Sequence, residues 1–442
     1  MAGRMLLFED RTSKKQPEFH PVWKVESVFM MKYVLIIGDG MADNPVPELN
    51  NLTPLQAVKK DAIDQLARKG IVGSVVNCPE GLPPGSDTAI LSIFGNDPWK
   101  CYTGRAPLEA AATGIQLKPG DVGYRCNMVA LEEGDQPFAE KKILSHSGGS
   151  IDGEDSITLV KYLFDHPDFQ RLAQEAGMTI YPAPSFRHIA VQSKVDITGI
   201  KLIPPHDHLG EVIGPLLPSG CENAAVLSKL MEVSYQVLDS HPINQARRAA
   251  GKLPANGVWF WAEGTGVALD SFVEKYHKTG SVISAVPLCQ GIARLGGLKV
   301  TEVEGATGEL DTNYEGKVQA ALQDLADGCD FTAVHVEAPD ECTHNGDTKG
   351  KLQAIEWLSS RVVAPLVAGL DQAGYDYRIL ILSDHKTLTA TRGHDGDPVP
   401  YLLYDSRCDS GLGANYTEED GCKGPFMHSG LSLMPALFEQ ID

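Results

Sequence analysis

Three short, unbroken apolar runs each end in a turn carrying acid or imidazole groups, and this pattern constrains the fold most. Tyr33-Val-Leu-Ile-Ile37 leads into Gly38-Asp39-Gly40, Phe331-Thr-Ala-Val-His-Val336 into Glu337-Ala-Pro-Asp340, and Arg378-Ile-Leu-Ile-Leu-Ser383 into Asp384-His385. A strand apolar along both faces must be covered on both, as in a mainly parallel sheet flanked by helices. The loops at the carboxyl ends of such strands are where α/β proteins place their chemistry. Helical spacing fills the intervals. A helix is predicted from about Thr53 to Lys69, with Thr53 as N-cap and Pro54 in the first turn, and another from about Lys349 to Gly369. A further strand, Gly73–Asn77, runs into Pro83-Pro-Gly-Ser-Asp-Thr88. Both ends of the chain therefore read as parts of one doubly wound α/β sheet.

The middle reads differently. From about Gly120 to Ala255 the chain is looser, with Tyr181-Pro-Ala-Pro184, Leu202-Ile-Pro-Pro205 and one amphipathic helix from about Ala224 to Leu238. An insertion of this size is expected to form a smaller α+β domain, and a cleft between two domains is a favoured ligand site. The expected layout is 1–30 as a disordered extension, 31–120 and 256–442 as two parts of a metal-binding core, and 121–255 as an inserted substrate-gripping domain. With 442 residues, 43% of them apolar, the chain is long enough for such an arrangement.

Charge narrows the partners. A formal net charge of −20 without any basic block argues against nucleic acid and anionic membranes. No run of ~18 apolar residues spans a bilayer, and the first thirty residues lack the apolar core of a signal peptide. Nine dispersed cysteines without a C-x-x-C pair fit reduced thiols in a cytoplasmic protein. A small anionic substrate would then need metal ions and local Arg or Lys residues to create a positive pocket.

Five clusters carry the chemistry: Asp39 in GDGM, Ser86 in PGSDTA, Asp340 and His344 in APDECTH, Asp384 and His385 in LSDHKT, and His394 in RGHDGDPVP. Singly, a strand-end Asp is often a helix cap and a lone His a satisfied core or surface group. Together they meet the demand of two metal sites, each with three or four carboxylate and imidazole ligands. Asp340 and His344 share a face if helical, and His394 completes that site. Asp39, Asp384 and His385 make the second, towards which Ser86 bridges. Metal coordination lowers the pKa of a serine hydroxyl, so a metal-bound serine is a nucleophile without a separate base. Two metals also suit the attacking and leaving oxygens of a phosphoryl displacement. No G-x-x-x-x-G-K-[ST] and no strand-associated G-x-G-x-x-G is present.

The stretches IIGDGMAD (36–43), PPGSDTAILSIFGNDP (83–98), TGRAPLEAAATGI (103–115), GATGELDTNYEGK (305–317), VHVEAPDECTHNGD (334–347), LSDHKT (382–387) and HDGDPVPYLLY (394–404) resemble the archaeal-type, 2,3-bisphosphoglycerate-independent phosphoglycerate mutases of the alkaline phosphatase superfamily. The resemblance runs from Met31 almost to the end. It implies an alkaline-phosphatase-like doubly wound core with a smaller inserted α+β domain, and an isomerase needing no 2,3-bisphosphoglycerate. It also implies two divalent ions, Mn²⁺ foremost, with Zn²⁺, Co²⁺ or Mg²⁺ accepted by the same ligands. By motif, Asp340, His344 and His394 would hold one ion, and Asp39, Ser86, Asp384 and His385 the other. The serine corresponding to Ser86 takes the phosphoryl group from 3-phosphoglycerate, the glycerate reorients, and the group returns to the 2-hydroxyl. Water must be kept out between the two steps, a role for a closing inserted domain.

Basic groups should clamp the substrate, preferably arginines with their bidentate fork. The candidates are Arg105 in TGRAP, Arg125 in YRCN, Arg187 with His188 in SFRHI, and His146 in SHSGG. His428 in MHSG competes with His394 for the last ligand position, and the PVP after His394 favours the latter. Lys386 is expected to face solvent, and Trp259 and Trp261 to lie in a strand buried at the domain junction. One departure stands out: Gly266 is followed by Val267-Ala-Leu-Asp270, where relatives commonly carry a basic residue. It keeps open a homoserine kinase-like phosphotransferase, and a phosphomonoesterase in which water attacks phospho-Ser86.

Overall fold

The computed structural model describes residues 31–411 and 413–438. The extension expected over 1–30 lies outside the described residues.

The first two strands, β1 (Met31–Gly38) and β2 (Ile71–Val75), belong to a larger sheet. The next five, β3 (Val122–Leu131), β4 (Ile143–Ser145), β5 (Met178–Tyr181), β6 (Arg187–Gln192) and β7 (Gly257–Thr265), form a smaller one. The chain then returns through β8 (Gly280–Ile283), β9 (Lys299–Val300), β10 (Phe331–Val336) and β11 (Asp376–Leu382). A two-stranded hairpin follows, β12 (Lys386–Leu388) with β13 (Gly393–Asp395), and then β14 (Val399–Asp405) and β15 (Phe426–Met427).

The larger sheet has the order β15-β2-β14-β11-β1-β10-β8-β9. β1 sits centrally, parallel to both β10 and β11, and Val34, Leu35, Ile36 and Ile37 are wholly buried. That is why its apolar run does not alternate. β14 runs antiparallel to β11 and to β2, which makes the sheet mixed. The smaller sheet is antiparallel throughout, and each sheet packs its own hydrophobic cluster. β7 pairs along β3, so this sheet extends past the boundary expected at residue 255 and takes in Trp259 and Trp261.

Two predicted helices prove to be interrupted. Thr53 does cap a first turn, Pro54–Ala57, with a capping box to Gln56. A new helix, Asp61–Lys69, then starts where the N–H of Ala62 donates to Ser359 Oγ. The long helix begins at Thr348 but widens into a π-helical stretch over Leu358–Val363 before continuing as Ala364–Ala373. Pro365 is the cause, since it lacks an N–H and its ring crowds the carbonyl four residues back.

Candidate active site

The sheet delivers its acids to one edge. Asp39 follows β1, and its N–H donates to the Val336 carbonyl at 2.9 Å. Asp384 and His385 follow β11. Ser86 opens the helix Ser86–Ile93, whose amino end favours negative charge. Its Oγ lies 3.2 Å from Asp39 Oδ2 and 3.1 Å from His385 Nε2. The helix Ala338–His344 places Asp340 and His344 on one face, with His344 Nε2 3.1 Å from Asp340 Oδ2. β13 brings His394 Nε2 to 3.0 Å from His344 Nε2 and 3.5 Å from Asp340 Oδ1. Two ligand sets result, Asp340/His344/His394 and Asp39/Asp384/His385, each with donor atoms within 4.8 Å of one another. His428 is exposed and belongs to neither set.

The residues present fit a divalent cation in each set. Asp39, Asp340 and Asp384 are buried together, and among the described residues no Lys or Arg comes within ion-pair distance of any of them. Buried like charges without a counter-charge are costly. Burial, and then the charges of Asp384 and Asp340, push the Asp39 carboxyl well above the carboxylate range. Burial works the same way on Asp340, but hydrogen bonds from His344 and His394 outweigh it and hold that carboxyl well below. Asp384 Oδ1 accepts the N–H groups of Gly40 and His385, at 3.1 and 2.9 Å. Its Oδ2 is buried without any hydrogen-bond partner, although His385 Nε2 is 3.2 Å away. The imidazoles are oriented as ligands too. His344 Nδ1 meets the Arg392 carbonyl at 2.7 Å and His385 Nδ1 the Lys386 carbonyl at 3.2 Å. A carbonyl only accepts, so each Nδ1 carries a proton and each Nε2 is the ring atom turned to the site.

Beside this site lies a cavity of about 1060 Å³ between the two sheets. Arg105, Arg125, His146 and Arg187 line it, together with Glu337 and Glu341 from the segment that carries Asp340. Arg125 forms a bidentate ion pair with Glu109, 2.8 Å at Nε, and its guanidinium stacks 4.7 Å from the Trp261 ring. Burial opposes ionisation of Glu109, yet its hydrogen bond to Arg125 and the Arg125 charge hold its carboxyl below the usual range. Burial and the charge of Arg125 push Arg187 down to about 10.

Two expectations change. His188 does not line the cavity, because it is wholly buried, with Nδ1 accepting the Ala183 N–H at 3.0 Å and Nε2 3.2 Å from Ser156 Oγ. The alternation of β6 sends it to the face opposite Arg187. Lys386 is not in solvent but buried, bonding Asn44 at 3.0 Å and Asp397 at 3.3 Å. Trp261 is buried in its strand, as expected, and also serves as the platform under Arg125. Sequence patterns did not point to His335, Ser284, Thr387 or Glu109. Thr387 Oγ1 holds Asp340 Oδ1 at 2.5 Å, and His335 Nε2 meets Asp39 Oδ2 at 2.9 Å.

Comparison with known proteins settles the family. Residues 67–244 match the sequence model of the 2,3-bisphosphoglycerate-independent phosphoglycerate mutases. A Geobacter sulfurreducens protein named as a probable enzyme of that kind is 42% identical over 416 residues, covering 93% of this chain and all of its own. The chain belongs to the 2,3-bisphosphoglycerate-independent phosphoglycerate mutase family. As a member it is an isomerase, an intramolecular phosphotransferase. A Methanosarcina acetivorans mutase is 41% identical, over 90% of this chain and 96% of its own. Two solved structures share this fold. One, from Pyrococcus horikoshii, superposes with a TM-score of 0.75 at 29% identity, covering 94% of this chain and 100% of that one. The other, a cofactor-independent phosphoglycerate mutase from Thermoplasma acidophilum, gives 0.60 at 25% identity over 92% and 99%.

Proposed function

We propose that this mutase interconverts 3-phosphoglycerate and 2-phosphoglycerate by passing the phosphoryl group through Ser86. The carrying observation is the placement of Ser86 Oγ at a helix amino end, against His385 and Asp39, beside a cavity lined by three arginines. Asp340, His344 and His394 would hold one divalent ion and Asp39, Ser86, Asp384 and His385 the other, Mn²⁺ foremost. Such ions supply the positive field that favours an ionised serine and offsets the charge of a transferring phosphoryl group.

The chain's own groups do the rest. Ser86 Oγ bonds to phosphorus as the bond from phosphorus to the glycerate oxygen breaks. Arg105, Arg125 and Arg187, with His146, keep the glycerate in the cavity by its carboxylate and hydroxyls. The neighbouring hydroxyl, passing its proton to the glycerate oxygen freed in the first step, then bonds to phosphorus as the Ser86 Oγ–phosphorus bond breaks. The part of the chain built on the smaller sheet acts as the gripping domain, and its closure keeps water from phospho-Ser86. The homoserine kinase reading finds no specific support, because Val267–Asp270 are not among the cavity-lining residues and Asp270 pairs with Lys275 at 3.1 Å. We place the protein in the cytoplasm, with nine unpaired thiols in support. Among the described residues no helix is long and apolar enough to cross a membrane.

Phosphorus NMR tests the proposal on Mn²⁺-supplied protein, with spectra taken after quenching and metal removal. 3-Phosphoglycerate should give 2-phosphoglycerate without free phosphate, and Ser86→Ala should abolish this while still binding metal. Residual turnover in Ser86→Ala refutes the nucleophile, and free phosphate as sole product refutes the mutase. Phosphohomoserine formed from ATP and homoserine would replace it with the kinase.

A further inference from the structure

Three neighbouring parallel strands present a row of polar side chains at their carboxyl ends. β1 and β10 pair with Ile37 opposite His335, and β10 and β8 pair with Val334 opposite Ile283. Asp39, His335 and Ser284 thus fall in line across the sheet, each buried. Ser284 Oγ is 3.0 Å from His335 Nδ1, His335 Nε2 is 2.9 Å from Asp39 Oδ2, and Ser86 Oγ is 3.2 Å from the same oxygen.

The donors along this row can be assigned. A carboxylate that ligates a metal ion is ionised and only accepts, so with the ion bound the His335 proton sits on Nε2 and points at Asp39. In the neutral ring Nδ1 is then an acceptor, and Ser284 must donate to it. Two further bonds hold Ser284 in that position. Its Oγ accepts the Val286 N–H at 3.1 Å, and its carbonyl accepts from Gln290 Nε2 at 2.8 Å. Lys317 Nζ ties down the His335 carbonyl at 2.9 Å. This tautomer is the reverse of that in His344 and His385, whose Nδ1 protons face backbone carbonyls. His335 thus offers Asp39 an N–H rather than a lone pair. A hydrogen-bonded partner that orients a ligating side chain commonly matters about 10- to 100-fold.

We propose that Ser284 and His335 are positioning residues of the nucleophile site, a two-membered relay that fixes the Asp39 carboxylate against Ser86. The proposal rests on Asp39 and Ser86 acting as assigned above. With Oδ2 tied to His335, Asp39 keeps its other lone pairs for the side on which Ser86 and His385 lie.

The same strand pair supplies a control. Ser281 Oγ and Thr332 Oγ1 form a buried pair at 3.0 Å, further from the site on β8 and β10. Ser284→Ala should lower metal affinity, read by Mn²⁺ competition with a chelator, and lower kcat, each about 10-fold, with KM for 3-phosphoglycerate unchanged. Ser281→Ala should lower only the urea midpoint. His335→Gln, which can place an amide N–H near Asp39, should retain more activity than His335→Leu. Nitrogen-15 spectra of histidine-labelled, Zn²⁺-loaded protein, assigned through the signal lost in His335→Gln, should show the Nε2–H tautomer at His335, and a less fixed ring in Ser284→Ala. An Nδ1–H tautomer or an imidazolium overturns the relay, as does equal action of Ser284→Ala and Ser281→Ala on kcat and metal affinity. The spectra and the metal titration hold even if the protein fails to isomerise phosphoglycerate, so failure of that reading is distinguishable from failure of this one.

Discussion

Gly40→Ala is the smallest change expected to disable the site. Gly40 has φ +59, and a Cβ there would lie 2.3 Å from Thr387 Oγ1 and 2.7 Å from Asp340 Oδ1. The left-handed backbone alone costs an alanine about 1–2 kcal/mol. Relief of the overlap must move Thr387, whose Oγ1 holds Asp340 Oδ1 at 2.5 Å, and a hydrogen bond to a charged group contributes about 1.5–3 kcal/mol. The total, roughly 2.5–5 kcal/mol, is less than the stability of a typical domain, about 5–15 kcal/mol, so the variant should fold. The damage falls on Asp340, a proposed ligand of the first ion, and on Asp384, whose Oδ1 accepts the Gly40 N–H at 3.1 Å. Urea unfolding followed by circular dichroism should show the loss of stability, calorimetric Mn²⁺ titration a metal affinity lower by at least about 10-fold, and the phosphorus assay a matching loss of turnover. Wild-type metal affinity and turnover in a folded Gly40→Ala protein would refute the idea that this glycine makes room for Thr387 and Asp340.

Other outcomes follow from the same geometry. Burial pushes His188 down to about 4, so its neutral form stabilises the fold, and that contribution is present above the unfolded value of about 6.5 and lost as pH falls towards 4. Comparing urea unfolding of wild type and His188→Gln at pH 7 and pH 4 should show wild type losing about 3 kcal/mol more than the variant; equal losses would contradict the assignment. Arg187→Ala should raise KM for phosphoglycerate about 10- to 100-fold by removing a charged hydrogen-bond donor, with a smaller effect on kcat in steady-state assays. Lys351→Met should cost about 3–5 kcal/mol in urea unfolding, because it leaves Asp43 buried without its partner at 2.9 Å.

Residues announced by position and type were readable in the sequence. An apolar run fixes a central strand, and an Asp or His just beyond its carboxyl end falls at the active edge, so Asp39, Asp384 and His385 could be named in advance. The spacing of Asp340 and His344 needed only one turn of helix. Positions set by tertiary contact were not readable. His335 lies inside a run that otherwise reads as core, and its only signal was a polar side chain in a strand buried on both faces. Thr387 and Glu109 act through partners 47 and 16 residues away, which no local pattern encodes. The break after Ala57 depends on Ser359, and the π-helical stretch on Pro365; only the proline could have been noticed beforehand.

The bond between Arg125 and Glu109 bears on how the substrate is caught. In the same cavity Glu109 pairs with Arg125 and lies 3.9 Å from Arg105, so these two arginines already share a counter-charge before an anion enters. Ligand binding at these side chains is then an exchange of ion partners, and the exterior, at −20 overall, offers no long-range pull on an anion. The second-order rate of capture should therefore depend little on ionic strength, unlike that of an enzyme with a positively charged entrance.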